Sequence, residues 1–290
     1  MQISKKSLEI IPHDCVVRLF SVYDTLKSAE KKAADLLIED PEFVRTSSIV
    51  KVAQRAQCSE PTFSRLAKKL DYTGFPELKH ELGKADGARD FAFYDGVQKG
   101  DSTDEIIKKV FHSAAQGLED TAKTLSGEKI ESAADALIGA RTCLVYGVGD
   151  SSVVARAIQY KFARLGIPIQ FAEDVAFTAT MALQLGENDI FFAVSHSGKS
   201  DPTLRMARYA KTRGAQVISI TNFPASPLAR ISDIVLLTAV FSELIYGENT
   251  SKRTAEMCIL EILAECMELR GKSGLLPHPA CEKTNEDGQL

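Results

Sequence analysis

Apolar positions change period along this chain. Between Val16 and Glu39, residues Leu26, Ala29, Ala33, Leu36 and Leu37 fall close to a 3.6-residue repeat with lysines between them, which predicts one or two helices. Pro41 starts the next turn, and Ile49 to Ala56 reads as a short amphipathic helix entered from the hydroxyl-bearing Thr46-Ser47-Ser48. Gln57-Cys58 is a tight connection. A second helix follows, capped by Ser59 and with Pro61 suited to its first turn. Its spacing turns Phe63, Leu66 and Leu70 inward and leaves Thr62, Ser64, Arg65, Lys68 and Lys69 outward. A support helix, a short turn and a helix with small polar and basic groups in its N-terminal half are the geometry of a helix-turn-helix.

Farther along, the helices at about 104–125 and 128–138 are followed by short apolar runs. Ile106, Val110, Phe111, Ala114 and Leu118 make a stripe on the first of these helices that points to core or dimer packing rather than to ligand contact. From Thr142 to Leu237 the chain alternates strands, at about 142–146, 167–171, 189–194, 216–221 and 233–237, with helices that include Val153–Leu165 and Pro202–Arg213. That alternation predicts a five-stranded parallel sheet with helices on both faces. A last helix runs from about 251 to 269.

The strand at 189–194 ends in Ser195-His196-Ser197-Gly198-Lys199-Ser200, directly before a helix. Backbone N–H groups and the positive end of the dipole at that helix start favour an anion, three serine hydroxyls can donate to it, and Gly198 allows close approach. Taken alone, the serines serve equally well as caps of an ordinary strand-to-helix turn. A second loop, Gly147-Val148-Gly149-Asp150-Ser151-Ser152, leaves the strand at 142–146 in the same way. It lacks the third glycine of a dinucleotide fingerprint, and the chain has no Walker-type phosphate loop. Both loops fall beyond strand carboxyl ends, where ligands of such sheets bind. Asp150 would repel a phosphate unless it turns outward or bonds a sugar hydroxyl.

Charge sharpens the division. The chain of 290 residues carries a formal net charge of −4. Between Arg45 and Lys79, however, Arg45, Lys51, Arg55, Arg65, Lys68, Lys69 and Lys79 stand against only Glu60, Asp71 and Glu77, as a DNA-facing module on an acidic protein would show. Cys15, Cys58, Cys143, Cys258, Cys266 and Cys281 form no C-x-x-C pair, which predicts reduced thiols and no zinc site. No apolar run reaches the roughly 20 residues of a membrane span and the start does not read as a signal peptide, so a cytoplasmic protein is expected.

Four motifs then agree in order and spacing. Gly147-x-Gly149-x-Ser151, Lys161-x-x-x-Leu165-Gly166, Ser195-x-Ser197-Gly198-x-Ser200, and Thr221 with Ser226-Pro227-Leu228-Ala229-x-x-x-Asp233 resemble the sugar isomerase (SIS) domain. Val52-Ala53, Ser59-Glu60-Pro61-Thr62, Ser64-Arg65, Lys69-Leu70 and Gly74-Phe75-Pro76-Glu77-Leu78-Lys79 resemble the N-terminal domain of the RpiR family of bacterial regulators, which joins a helix-turn-helix to a SIS domain. Cys58 and Asp71-Tyr72 depart from that family's usual residues. The resemblance implies an all-α DNA-binding domain at 1–83 and an α/β SIS domain at 104–270; isolated glycines and scattered charge without a period read 84–103 as a linker, and the Pro-, Gly- and charge-rich stretch 271–290 as a disordered tail.

It further implies a phosphosugar effector held by Gly149, Ser151, Ser152, Ser195, His196, Ser197, Gly198 and Ser200. Operator DNA would be contacted by Ser59, Pro61, Thr62, Ser64, Arg65, Lys68 and Lys69. No cofactor, no metal and no catalytic residue is expected, and the assembly is a homodimer or homotetramer. The alternative is a phosphosugar isomerase, whose general base would come from His196, Glu243, Glu248 or Glu256. Nothing in the sequence marks any of these as a base, and glutamates on a C-terminal helix are usually solvated.

Overall fold

The computed structural model describes residues 11, 13–84, 97–240 and 250–270. Most of the expected linker, the expected tail, Glu243, Glu248 and Cys281 lie outside the described residues. No helix among the described residues is long and apolar enough to cross a membrane.

The chain divides into two compact units. The first runs to Leu125 and takes in Asn222–Ala225 and the stretch from Leu237 to Ala255. It is built from α1 (His13–Val22), a short 3-10 turn (Tyr23–Thr25), α2 (Ser28–Glu39), α3 (Pro41–Thr46), α4 (Ile49–Arg55), α5 (Glu60–Lys69), α6 (Phe75–Lys84) and α7 (Thr103–Thr124). Phe20, Leu37, Val44, Val52, Phe63, Leu66 and Leu78 bury their side chains in one core, where Phe63 meets the ring of Phe75 edge-on at 5.7 Å. Asp40 accepts from the Phe43 N–H at 3.1 Å and so starts α3, with Pro41 occupying its first position.

Two local details differ from the reading of the sequence. Ser48 and Ser59 stand at the helix starts, but neither hydroxyl caps its helix. The turn between α4 and α5 is made instead by Gln57 in the left-handed region, φ 54°, with the Cys58 N–H donating to the Ala53 carbonyl at 3.0 Å. A left-handed glutamine is tolerated because this bond fixes the turn.

One buried carboxylate ties α2 to α5. Glu30 is 3% exposed and accepts from Lys69 Nζ at 2.8 Å and from the Lys27 N–H at 2.9 Å, with Arg65 Nε at 3.9 Å. The Lys69 hydrogen bond outweighs the cost of burial and holds this carboxyl below the usual glutamate range.

The length of α7 matches expectation, and its orientation is the unexpected part. Of its predicted stripe, Ile106, Val110, Ala114 and Leu118 are half-buried and Phe111 is 73% exposed. The buried residues are Ser113, Gly117, Asp120, Thr121 and Thr124. Gly117 gives room for the next element, since a methyl group there would lie 3.1 Å from Val240 Cγ2, and Thr121 Oγ1 accepts from the Ala239 N–H at 3.0 Å. The fully buried face is thus a polar one held by these hydrogen bonds, with the apolar stripe beside it.

The second unit contains α8 (Gly127–Gly139), β1 (Thr142–Tyr146), α9 (Asp150–Arg164), β2 (Ile169–Phe171), α10 (Val175–Ala182), β3 (Asp189–Val194), α11 (Asp201–Thr212), β4 (Gln216–Thr221), α12 (Pro227–Ile231), β5 (Ile234–Leu237) and most of α13 (Thr250–Leu269). The strands form one sheet in the order β2-β1-β3-β4-β5, in which β1 runs parallel to β2 and β3, and β3 to β4. Leu144, Tyr146, Phe191, Ala193 and Val217 pack toward Leu204 and Ala207 of α11, while on another strand position Phe192 meets Phe162 of α9 edge-on at 6.3 Å. β2 is shorter than expected because Pro168 has no N–H for the ladder; its carbonyl still accepts from Cys143 at 2.7 Å. Cys15 and Cys143 are buried and belong to no disulfide among the described residues, whereas Cys258 is exposed.

The Glu30 network sets a pH-dependent stability. Its folded pKa lies below the unfolded value of about 4.3, so the contribution is present above that pH and is lost as the pH falls through the folded pKa. Glu30→Ala is expected to lower stability by about 1–3 kcal/mol at pH 7. The deficit should shrink at pH values below about 4. Urea unfolding followed by circular dichroism checks both.

Candidate functional site

Both serine-bearing loops leave adjacent strands at the same edge of the sheet. β1 ends at Tyr146 and β3 at Val194, with Tyr146 paired to Ala193. From β1 the chain moves outward to β2 on one side, and β3 lies on the other, so the order reverses between β1 and β3. That switch point opens a crevice beyond the strand ends, bounded by the two loops.

The loop after β3 is fixed from beneath. Ser195 is 4% exposed, and its N–H donates to the Ile220 carbonyl at 3.0 Å. Gly198 has φ +59° and closes a turn by donating to the Ser195 carbonyl at 3.0 Å, while its own carbonyl accepts from the Leu228 N–H at 3.1 Å. A Cβ there would lie 2.2 Å from Ser226 Oγ and 2.9 Å from Thr221 Oγ1, so only glycine fits. Thr221 Oγ1 donates to the His196 carbonyl at 3.2 Å, and Ser226 Oγ accepts from the Ala229 N–H at 3.2 Å as the cap of α12.

On the open side, Ser197 is exposed and its Oγ accepts from the Lys199 N–H at 3.2 Å. Ser200 precedes α11 without capping it, and its Oγ accepts from Thr203 Oγ1 at 3.2 Å. Each oxygen used as an acceptor leaves a hydroxyl proton that can be donated to an anion at the start of α11. His196 is half-buried.

In the loop after β1, a Cβ on Gly147 would lie 2.6 Å from the Ser151 carbonyl oxygen, so α9 passes directly over it. Gly149 stands before α9 with φ 59° and ψ −132°, a conformation that strains any side chain. Ser151 is buried and Ser152 half-buried, while Asp150 is exposed in the first turn, where the helix dipole favours its charge. Gly147, Thr221 and Ser226 were not among the expected site residues. All three stand in the motifs quoted from the sequence, but their role as the seat of the loops needs the third dimension.

The DNA-facing residues are narrowed by the structure. Ser59, Pro61, Arg65, Lys68 and Lys69 are exposed and Ser64 is half-buried. Thr62, expected outward, is instead 1% exposed, because its Oγ1 is engaged by Ser59 Oγ at 2.9 Å and by an Arg65 guanidinium nitrogen at 3.2 Å. Much of the local positive charge is also held internally. Arg45 pairs with Glu42 at 2.7 Å, Arg55 with Asp40 at 2.8 Å, Lys69 with Glu30, and Lys79 Nζ donates to the Ser47 carbonyl at 2.8 Å. Lys68 and, more weakly tethered, Arg65 remain at the rim of the hollow between α4 and α5, beside Gln54, Pro61 and Ser64. Of the residues weighed as a catalytic base, Glu256 is fully buried on α13, against the expectation of a solvated glutamate.

Gly198→Ala should cost about 1–3 kcal/mol through overpacking against Ser226 and the positive φ. The same substitution should remove anion binding at the loop. Thermal unfolding with and without added phosphate esters measures both.

Two family profiles match the chain: "Helix-turn-helix domain, rpiR family" over residues 15–88 and "SIS domain" over residues 136–265. The chain is similar to the HTH-type transcriptional regulator HexR of Pseudomonas aeruginosa, 30% identical over 256 residues that cover 88% of this chain and 89% of that protein. It is also similar to the bifunctional protein glk of Burkholderia orbicola, 30% identical over 91% of this chain but only 41% of that longer protein. Among solved structures, the Vibrio vulnificus NanR protein complexed with ManNAc-6P aligns with a TM-score of 0.56 and 26% identity, covering 89% of this chain and 92% of that one. With an rpiR-type helix-turn-helix, a SIS domain and a match to a transcriptional regulator over most of both chains, this chain belongs to the RpiR family of transcriptional regulators.

Proposed function

We propose that this regulator is a repressor whose affinity for operator DNA is set by a phosphorylated sugar or sugar acid bound between the two serine loops. The observation that carries the reading is the glycine-seated turn at Gly198, which presents the hydroxyls of Ser197 and Ser200 at the start of α11, at the switch point of the sheet. Gly149, Ser151, Ser152, Ser195 and His196 complete the effector site. The NanR relative, complexed with ManNAc-6P, supports a sugar phosphate as the class of ligand.

DNA is read by α5, with Lys68, Arg65, Ser64, Pro61 and Ser59 on the outward side, and a DNA partner places the protein in the cytoplasm. One helix-turn-helix gives too little surface for high specificity, so the working form is a homodimer or homotetramer whose paired modules read half-sites about one helical turn apart. An isomerase is disfavoured as the second reading. The enclosed Glu256 is poorly placed to work over an open sugar, and His196 contributes to the serine loop.

A thermal-shift screen of phosphorylated sugars identifies the effector, and fluorescence anisotropy measures operator binding at fixed salt. Lys68→Ala should weaken binding roughly uniformly across sequences and reduce the salt slope by about one. Arg65→Ala should cost about 1–3 kcal/mol. Ser197→Ala should bind operator normally and lose its response to the effector. An unchanged response would remove the serine loop from the mechanism.

A further inference from the structure

The end of β1 holds a phenol that the serine loops leave unused. Tyr146 is the last residue of β1 and pairs with Ala193 of β3, which pairs in turn with Ser219 of β4. Paired residues of a sheet share a face, and so do residues two apart along a strand. The row behind this one, Leu144, Phe191 and Val217, is apolar throughout. The next positions ahead of it, Ser195 and Thr221, belong to the seat of the loop after β3. Tyr146, Ala193 and Ser219 therefore form the row directly beneath that loop, where the face turns from apolar to polar. Tyr146 and Ser219 are 1% and 0% exposed, yet neither hydroxyl has a hydrogen-bond partner among the described residues.

A buried hydroxyl without a partner is costly to keep, and phenylalanine would pack the same space without that cost. The charged groups that act on the phenol are already engaged: Arg205 pairs with Asp201 at 3.2 Å, and Asp174 accepts from the Phe177 N–H at 2.7 Å. Both are exposed, one on α11 and the other just before α10, which places the hydroxyl close beneath the surface of the crevice and not in the depth of the sheet. Burial pushes the phenol pKa up, so at neutral pH it keeps its proton and can donate it to a hydrogen bond. We propose that Tyr146 selects the effector: its hydroxyl donates to an oxygen of the sugar chain while the serine loop holds the phosphate. The proposal rests on the reading of that loop as a sugar-phosphate site, and it adds the residue that tells the sugar from its phosphate alone. A site built around such a donor rejects ligands that lack the matching oxygen.

The test is isothermal titration of the full-length protein with glucose 6-phosphate, fructose 6-phosphate, ManNAc-6P and inorganic phosphate. The wild type should prefer at least one of the sugar phosphates to inorganic phosphate. Tyr146→Phe should weaken binding of that sugar phosphate by roughly 3- to 10-fold, and so lower its preference over inorganic phosphate by the same factor. Ser197→Ala, by contrast, should weaken both ligands, since it touches the phosphate. A Tyr146→Phe protein that keeps the wild-type preference overturns the proposal and leaves the sugar-phosphate site standing. Thermal unfolding without ligand tests for a purely structural role. The variant should melt at or above the wild-type temperature; a lower melting temperature would show that the hydroxyl is bonded within the chain, which also overturns the proposal. A wild type that prefers none of the three sugar phosphates to inorganic phosphate sinks the reading of the site itself, and the proposal with it.

Discussion

The tight approach of Gly198 to Thr221 and Ser226 is the constraint on which the proposed effector site depends. A loop meant to hold an anion must keep hydroxyl and N–H donors pointing outward while its own backbone stays bonded. Here the inward side is secured by three contacts: Thr221 with the His196 carbonyl, Leu228 with the Gly198 carbonyl, and Gly198 with the Ser195 carbonyl. Because the seat is preformed, little ordering cost is left for the ligand. The loop after β1 solves the same problem with Gly147 and Gly149, one for closeness to α9 and one for backbone conformation.

The seat also has a neighbour along the chain. Asn222, next to Thr221, accepts from Thr238 Oγ1 at 3.0 Å and from the Val240 N–H at 2.7 Å, and Ala239 between them donates to Thr121 of α7. A ligand shifts an equilibrium only by its differential affinity for the two states. On the DNA-reading side, Glu30 holds Lys69 and the base of Arg65, so α5 is braced by a charge network while Lys68 stays outward.

What the sequence made legible follows from where periodicity and motif are strong. The strands β1, β3 and β4 were read to the residue, because short apolar runs bounded by glycine and serine leave little choice. The helix-turn-helix was legible through Phe63, Leu66 and Leu70, all buried. Thr62 was misplaced because its position between the inward and outward faces of α5 is decided by a hydrogen bond to Ser59 that no pattern shows. On α7 the apolar stripe is only half-buried, and periodicity did not show which face the helix turns inward. The answer depended on Gly117 and Thr121, whose tertiary bonds give the buried face to polar residues. Internal pairing of Arg55 and Lys79 was likewise invisible in a count of charges, which overstated the basic face.

The central claim is that the serine loops and the DNA-reading helix share one equilibrium. Linkage then requires that operator DNA change effector affinity by the same factor by which the effector changes operator affinity. The measurement is the dissociation constant of the phosphosugar for the protein alone and for the protein saturated with operator, by isothermal titration at fixed salt. The account predicts weaker binding in the DNA-bound form, by about 5- to 150-fold. Equal affinity in the two forms would contradict it.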